Sequence, residues 1–256
     1  MPQIQLPSGK SIWAEKHPRP VGSVSPDIPI LFIHGMNNSS KTWEPILPAF
    51  MAYTRIVYDV EPFGESRPTG GPLDIPSQAR DTRDVLAHYG YAAAYVVAHS
   101  GGSSIARQFA HDNPHMVRKL VLLSPVVLGS SSGWPLDRII VPTETSVLQW
   151  QANAGTRGRS DPAVMNFIRS ETERHAGREE DAYRYFVALT KCDVPDAGGV
   201  EAWVLKGEEE KTPKVDCEGT AEKLNARLLE VKDAGHYLTI ENTEGTVEAL
   251  KTALQT

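Results

Sequence analysis

Four short, uninterrupted apolar segments constrain the fold of this chain more than any other feature. They are IPILFIH (28–34), RIVYDV (55–60), YVVA (95–98) and KLVLLSP (119–125). A strand that is apolar at every position is buried on both faces, as in parallel sheets covered by helices. Helical apolar spacing occurs between them, as in SQARDTRDVLAHYG (77–90). This alternation predicts an α/β fold with a parallel sheet flanked by helices.

The alternation stops after residue 125 and resumes with EAWVLKG (201–207), TAEKLNA (220–226), ARLLEVK (226–232) and a last helix over 242–255. The interruption contains predicted loops at 129–134 and 153–161 and two helical patterns, which begin at residues 161 and 180. It is too long for a plain loop in a compact domain. We therefore predict a core formed by residues 1–125 and 196–256, with a helical lid inserted at 126–195.

Composition excludes several classes of protein. The net charge is −6 and the isoelectric point about 5.8, whereas a nucleic-acid-binding protein needs a basic face. No apolar run approaches the length of a membrane span, and the first residues lack the apolar core of a signal peptide, so we expect a cytoplasmic protein. Cys192 and Cys217 are interpreted as free thiols, although a single bridge stays open. The sequence does not decide between a monomer and a homodimer.

Ser100 lies where a predicted strand meets a predicted helix, in AHSGG (98–102). A serine at such a corner can simply cap the helix. The alternative is a nucleophile on a tight elbow, whose pattern is small-x-Ser-x-small. A nucleophilic serine also needs a base, an acid that orients the base, and two N–H groups for the oxyanion.

His236 has the position expected of the base, because it follows the last predicted strand and precedes the last helix. His99 is adjacent to Ser100 in the sequence and is therefore a poor base. The remaining candidates are predicted to lie on helices or their ends, exposed to solvent: His88, His111, His115 and His175.

The acid is expected just beyond the strand that precedes the last one. Glu210 lies three residues after Gly207 and is the first choice, with Glu209 as the alternative. Asp216 and Asp233 are further candidates. The alternative interpretation of these glutamates is a solvated charge run.

The oxyanion hole needs two N–H groups that point at one place. Gly101 follows the serine at the start of a helix, where backbone N–H groups are unpaired. Met36 follows the turn at Gly35, after the first long strand. We predict that these two residues donate to the oxyanion.

Taken together, these segments resemble those of a known family, the α/β-hydrolases of the small, cofactor-free serine type. The motifs that carry the resemblance are HGMNNSSKTW (34–43), DVEPFGESRP (59–68), AHSGG (98–102), GEEEKTP (207–213) and GHYLTIEN (235–242). Two departures are Pro62, where the family often has glycine, and glutamate at the acid position. The resemblance implies an eight-stranded, mostly parallel sheet with a helical cap over the site, extending from about residue 28 to 255.

The predicted activity is hydrolysis of a carboxylic ester or lactone of a moderately sized apolar molecule, with no metal or cofactor. Aromatic residues in the insertion favour an apolar pocket. A serine nucleophile excludes the carboxylate-nucleophile reactions of this fold, such as epoxide opening. The predicted substrate-binding residues are Gly35, His99, Trp134, Trp150, Phe186 and Tyr237.

Three alternatives remain at this point. A carbon–carbon bond hydrolase uses the same three residues, and a small-molecule receptor uses the same fold without turnover. The third is a nucleotide-binding loop, because GMNNSSKT (35–42) nearly matches the phosphate-binding pattern and Asp59 could then ligate magnesium. The loop lacks the second glycine of that pattern.

Overall fold

The computed structural model describes residues 3–22, 27–126, 144–212 and 214–255, and only the backbone of residues 144–146, 149, 214 and 215. The described residues form one eight-stranded sheet. Its strands are β1 (Gln3–Gln5), β2 (Ser11–His17), β3 (Ile30–Ile33), β4 (Arg55–Tyr58), β5 (Ala94–His99), β6 (Val117–Leu123), β7 (Ala202–Gly207) and β8 (Arg227–Val231).

The sheet is mostly parallel, as the resemblance implied. Its strand order is β1-β2-β4-β3-β5-β6-β7-β8. The pairs from β4 to β8 are all parallel, whereas β1–β2 and β2–β4 are antiparallel. The carboxyl ends of six strands therefore meet at one edge of the sheet, which is where ligands bind in open α/β sheets.

Helices connect and cover these strands within the described ranges. They are α1 (Ile75–His88), α2 (Gly102–Asp112), α3 (Glu144–Ala152), α4 (Thr156–Ser160), α5 (Pro162–Glu173), α6 (Glu179–Lys191), α7 (Lys214–Leu224), α8 (Leu238–Glu241) and α9 (Thr243–Gln255). Short 3₁₀ turns occupy Ser40–Trp43, Leu47–Phe50 and Pro114–Met116.

The alternating side chains of the central strands contribute to two separate cores. Leu31 and Ile33 of β3 pack in a cluster with residues of α1 and α2. Ile30 and Phe32 of the same strand face the opposite side and pack with residues of α9. Burial on both faces explains why the strand segments are apolar at every position.

Most predicted elements are confirmed, but the interruption is more helical than expected. The predicted loop at 153–161 contains α4, and α3, α8 and the short strand β1 were not predicted. Sequence patterns missed α4 because it has five residues and contains Gly158, a poor helix former. The sequence over 42–52 also allows one short helix, but the structure has two 3₁₀ turns in this region, and the second begins at Leu47 and Pro48. The predicted loop at 129–134 lies outside the described residues.

Two further observations bear on the sequence predictions. Cys192 and Cys217 are both free thiols. Among the described residues, no helix has the length and apolar character needed to cross a membrane.

Candidate active site

Ser100 occupies a sharp corner between β5 and α2. Its φ is +52°, a left-handed conformation that is uncommon for residues other than glycine. Gly102 makes the corner compact, because a Cβ there would collide with the carbonyl oxygen of His34 and lie 2.8 Å from that of Ile33. The backbone strain at Ser100 is typical of functional sites.

The side chains of Ser100, His236 and Glu210 form a hydrogen-bonded row. The Oγ of Ser100 lies 3.0 Å from Nε2 of His236. On the other side of the ring, Nδ1 of His236 lies 3.1 Å from Oε2 and 3.3 Å from Oε1 of Glu210. Ser100 and His236 are 136 residues apart in the sequence, yet their side chains are within hydrogen-bonding distance. His236 lies in the loop between β8 and α8.

The backbone after β7 selects Glu210 rather than its neighbours. The N–H of Glu210 donates to the carbonyl of Gly207, which forms a turn. Oε1 of Glu210 then accepts from the N–H groups of Lys211 and Thr212, at 3.0 and 3.1 Å. The carboxylate of Glu209 points elsewhere, since its Oε2 accepts from the N–H and hydroxyl of Thr156. The alternative acid at 209 is therefore not placed against the imidazole.

The electrostatics of the pair favour an ionised carboxylate. Burial opposes ionisation of Glu210, but the charge and hydrogen bond of His236 outweigh it and lower its pKa to about 2. Burial also acts to lower the pKa of His236, and the charge and hydrogen bond of Glu210 raise it above the ordinary value. With the carboxylate ionised, Nδ1–H of the neutral imidazole donates to Glu210, and Nε2 is left to accept from Ser100.

Two backbone N–H groups lie beside the serine without an acceptor. Within the described part of the chain, neither Met36 N nor Gly101 N donates a hydrogen bond. The two residues are adjacent, since a Cβ on Gly101 would be 3.8 Å from Met36 N. Such free donors can stabilise negative charge that develops on a substrate oxygen.

The loop that carries Met36 is fixed from behind by His34 and Asp59. Nδ1–H of His34 donates to the carbonyl of Gly35, and its Nε2 accepts from the N–H of Val60. The two oxygens of Asp59 accept from the N–H groups of Ser40 and Glu65, both at 2.7 Å. Both carboxylate oxygens of Asp59 thus hold backbone N–H groups of the surrounding loops. The nucleotide-binding alternative, in which Asp59 would ligate magnesium, has no support in this geometry.

Gly35 and His99, both predicted to bind substrate, lie next to the serine and the histidine. A Cβ on Gly35 would be 2.8 Å from Cβ of Ser100, so only glycine fits there. Nε2–H of His99 donates to the carbonyl of His236 at 2.8 Å. Burial and the neighbouring His236 lower the pKa of His99 to about 3, so its ring is neutral.

The described aromatic residues among those predicted to bind substrate belong to two apolar clusters, and Trp150 packs against both. Phe186 of α6 is buried in the same cluster as Met36. Tyr237 packs with Trp150, and its hydroxyl donates to the carbonyl of Trp150. Trp134 lies outside the described residues. Binding of substrate by these side chains stays a prediction.

The prediction that His175 is exposed to solvent is wrong. It is 3% exposed, and its Nε2 accepts from the N–H of Gly64. Its ring contacts Phe63 edge-on at 5.2 Å. The sequence suggested a helix end, and α5 does end two residues earlier, but that end packs onto the core rather than facing water.

Three residues near the site were not singled out from the sequence. Glu241 accepts from backbone N–H groups around His236, and the carbonyl of Asn153 accepts from the N–H of His236 at 3.0 Å. Leu189 of α6 reaches within 3.2 Å of where a Cβ on Gly101 would lie. The position of Glu241 five residues after His236 was visible, but its role depends on a backbone shape that no local pattern indicates.

A mostly parallel sheet with a serine, a histidine and a carboxylate joined at its carboxyl edge defines an α/β protein of hydrolase type. The model for the family described as alpha/beta hydrolase fold matches residues 28–191, which is more than half of the chain. This chain therefore belongs to that family.

Individual relatives have several different activities. A poly(3-hydroxyalkanoate) depolymerase from Ectopseudomonas oleovorans is 30% identical over 248 residues, covering 89% of this chain and 84% of the relative. A soluble epoxide hydrolase from Corynebacterium sp. (strain C12) is 30% identical over 111 residues, covering 42% of this chain and 39% of the relative. The match thus spans about two fifths of that relative's length.

Among solved structures, Est816, described as an N-acyl homoserine lactone degrading enzyme, superposes with a TM-score of 0.83 at 20% identity. The match covers 98% of this chain and 99% of that one. At this identity the likeness shows a shared fold.

Proposed function

We propose that this protein is a serine hydrolase that cleaves a carboxylic ester or lactone of a moderately sized apolar molecule. The observation that carries the proposal is the row of Ser100, His236 and Glu210, with the serine held in a strained corner beside two free N–H groups. This arrangement supplies a nucleophile, a base, an orienting acid and an oxyanion site.

The first half of the reaction forms an acyl-enzyme. Nε2 of His236 takes the proton of Ser100 as Oγ attacks the carbonyl carbon, and the carbonyl π electrons move to oxygen. The N–H groups of Met36 and Gly101 stabilise this oxyanion. The intermediate collapses, the bond to the alkoxy oxygen breaks, and His236 gives its proton to that oxygen.

The second half repeats these steps with water. His236 removes a proton from water, hydroxide oxygen attacks the acyl carbon, and Ser100 leaves with the proton from the imidazole. Glu210 stays ionised throughout and holds Nδ1–H, which keeps Nε2 available as the acceptor.

The insertion between β6 and β7 supports an apolar substrate. Helix α6 brings Leu189 next to Gly101, and Phe186 of the same helix is buried in the apolar cluster that also contains Leu189 and Met36. We propose that residues 126–195 act as a cap that forms the acyl or alcohol pocket. An aliphatic or aromatic ester then binds mainly by burial of its apolar surface.

The identity of the nucleophile, a serine, determines which relatives have activities that are relevant to this protein. Epoxide opening on this fold needs a carboxylate nucleophile, and the corner here carries a hydroxyl instead. The names of the depolymerase and of the lactone-degrading Est816 are consistent with cleavage of ester and lactone bonds.

The proposal is tested with a panel of p-nitrophenyl esters and lactones, using wild type, Ser100→Ala and Ser103→Ala. Ser103 is the matched control: it lies three residues after Ser100, in α2, and is buried with a hydroxyl that has no partner among the described residues. We expect Ser100→Ala to lower kcat by about 10³-fold or more, and Ser103→Ala to retain activity. Turnover of Ser100→Ala close to that of wild type would reject the proposal, and cleavage of a diketone but of no ester would favour the carbon–carbon alternative.

A further inference from the structure

Glu241 is a buried carboxylate at the end of α8 whose recorded partners are all backbone donors. Oε2 accepts from Gly155 N at 2.6 Å and from Gly235 N at 2.9 Å, and Oε1 accepts from Tyr237 N at 2.8 Å. Glu241 is only 5% exposed to solvent. Hydrogen bonds from N–H groups to a buried carboxylate are among the stronger ones in proteins.

These donors come from two parts of the chain. Gly235 and Tyr237 flank His236, whereas Gly155 belongs to the insertion, between α3 and α4. One carboxylate therefore joins the backbone on both sides of His236 to a segment about 80 residues earlier in the chain.

Other contacts fasten the same two segments. His236 N–H donates to the carbonyl of Asn153 at 3.0 Å. The two backbones approach so closely that a Cβ on Gly155 would lie 2.9 Å from Gly235 N. Gly158 of α4 packs on the carboxylate itself, where a Cβ would be 2.6 Å from Oε2 of Glu241.

We propose that Glu241 is a positioning residue that clamps the His236 loop to residues Asn153–Gly155, so that this part of the insertion belongs to the fixed catalytic scaffold. Any opening of the cap then pivots about this segment instead of lifting it away from His236. The inference rests on the proposed function for its catalytic consequence, although the clamp itself can be measured in the resting protein.

The clamp predicts how a neutral substitute at position 241 behaves. Because all three partners are donors, the NH₂ group of a glutamine must face at least one N–H. The loop has to shift, and a displacement of about 1 Å can cost about 10²-fold in rate. The charge of Glu241 also helps to raise the pKa of His236, together with Glu210 and Asp216, while His99 faces the ring as a neutral group.

The main test compares Glu241→Gln with Glu248→Gln, an exposed glutamate on the neighbouring helix α9. We expect Glu241→Gln to lower kcat by about 10²-fold, with a much smaller change in KM. The pKa of the His236 imidazole, followed by NMR in the absence of substrate, is expected to fall. Glu248→Gln should change none of these quantities. A folded Glu241→Gln protein with wild-type kcat and imidazole pKa would overturn the proposal.

A second variant perturbs the clamp from the insertion without touching its charge. Gly155 has φ −67°, so alanine is acceptable to its backbone, and the contacts that oppose it are those with Ala234, Gly235 and Glu241. We expect Gly155→Ala to lower kcat, whereas Gly71→Ala, whose Cβ meets nothing closer than 3.6 Å, is the matched control. Wild-type kcat in Gly155→Ala would contradict the clamp even if Glu241→Gln did not fold.

Hydrogen exchange of the wild-type protein separates failure of the clamp from failure of the proposed function. The clamp predicts slow exchange of the amides of Gly155, Gly235 and Tyr237, with a common opening free energy. Rapid exchange at Gly155 would refute the clamp whatever the enzyme hydrolyses. Slow exchange together with full activity of Ser100→Ala would instead retain the clamp and reject the proposed function.

Discussion

Replacement of Glu210 by glutamine changes which nitrogen of His236 carries the proton. In the wild type, Oε1 accepts from Lys211 N and Thr212 N, and Oε2 lies 3.1 Å from Nδ1 of His236. The two backbone donors will hold the amide oxygen of glutamine at the Oε1 position. Its NH₂ group then faces Nδ1, which becomes an acceptor, and the proton moves to Nε2. A protonated Nε2 in the neutral ring cannot accept the proton of Ser100.

The expected losses follow from this change of tautomer and from the missing charge. The corresponding change in a Ser-His-Asp triad lowers kcat by about 10⁴-fold, which is about 5 kcal/mol of barrier. For stability, the pKa of Glu210 is lowered from 4.5 to about 2, against the effect of burial, by the charge of His236. That difference corresponds to about 3 kcal/mol of unfolding free energy.

The sign of the stability effect is set by the lowered pKa. The stabilisation is present above pH 4.5, where the carboxyl is ionised in both states, and is lost as the pH falls towards 2. Over this range the unfolding free energy of the wild type should therefore fall by about 3 kcal/mol more than that of Glu210→Gln. Urea denaturation at pH 6, 4 and 2.5 measures this difference.

The assay is steady-state hydrolysis of an active p-nitrophenyl ester near pH 8, with ¹⁵N NMR of the imidazole to report the tautomer. Glu208→Gln is the matched control, because Glu208 is exposed and accepts only from Asp233 N among the described residues. A Glu210→Gln variant that keeps kcat within tenfold of the wild type would contradict the predicted change of tautomer. An equal loss in Glu209→Gln would show that the acid has been misassigned.

Two further predictions concern the corner at Ser100 and the buried histidine of the insertion. Gly102→Ala should lower the unfolding free energy by about 1–3 kcal/mol, because its Cβ meets the backbone oxygens of β3 and the following residue; calorimetry beside Gly71→Ala checks this, and equal melting temperatures would contradict it. Burial and then Arg178 lower the pKa of His175 to about 3, so the neutral ring stabilises the fold above pH 6.5 and this contribution declines as the pH falls towards 3. His175→Gln should reduce the slope of the unfolding free energy against pH by about 1.4 kcal/mol per pH unit. Parallel stability curves for variant and wild type between pH 7 and 4 would disprove it.

The sheet could be predicted from sequence because burial on two faces leaves a strong local pattern. Segments such as ILFI and RIVY carry no charged residue except Arg55, which is the first residue of its strand. The edge strand β1, with the sequence QIQ, has only Ile4 buried, so its pattern is too short to recognise. Helix α4 also has no recognisable local pattern. The start of this helix is held by hydrogen bonds to the carboxylates of Glu209 and Glu241, which come from distant parts of the sequence.

The candidate site could be predicted as far as chain order determines it. Ser100 and His236 each follow a strand, and parallel strands bring those ends together. Three consecutive glutamates left the acid undecided, because the choice depends on a turn closed by Glu210 N and Gly207 O. The clamp at Glu241 joins segments about 80 residues apart, and no local pattern indicates such a contact.

In the proposed reaction the hydroxyl of Ser100 is a nucleophile activated by His236. Treatment with a serine-directed phosphonate, followed by peptide mass spectrometry, tests this most directly. We expect one covalent adduct on the peptide that contains Ser100, formed much more slowly in His236→Ala and absent in Ser100→Ala. An adduct on another residue, or labelling of Ser100 at an unchanged rate in His236→Ala, would contradict the claim.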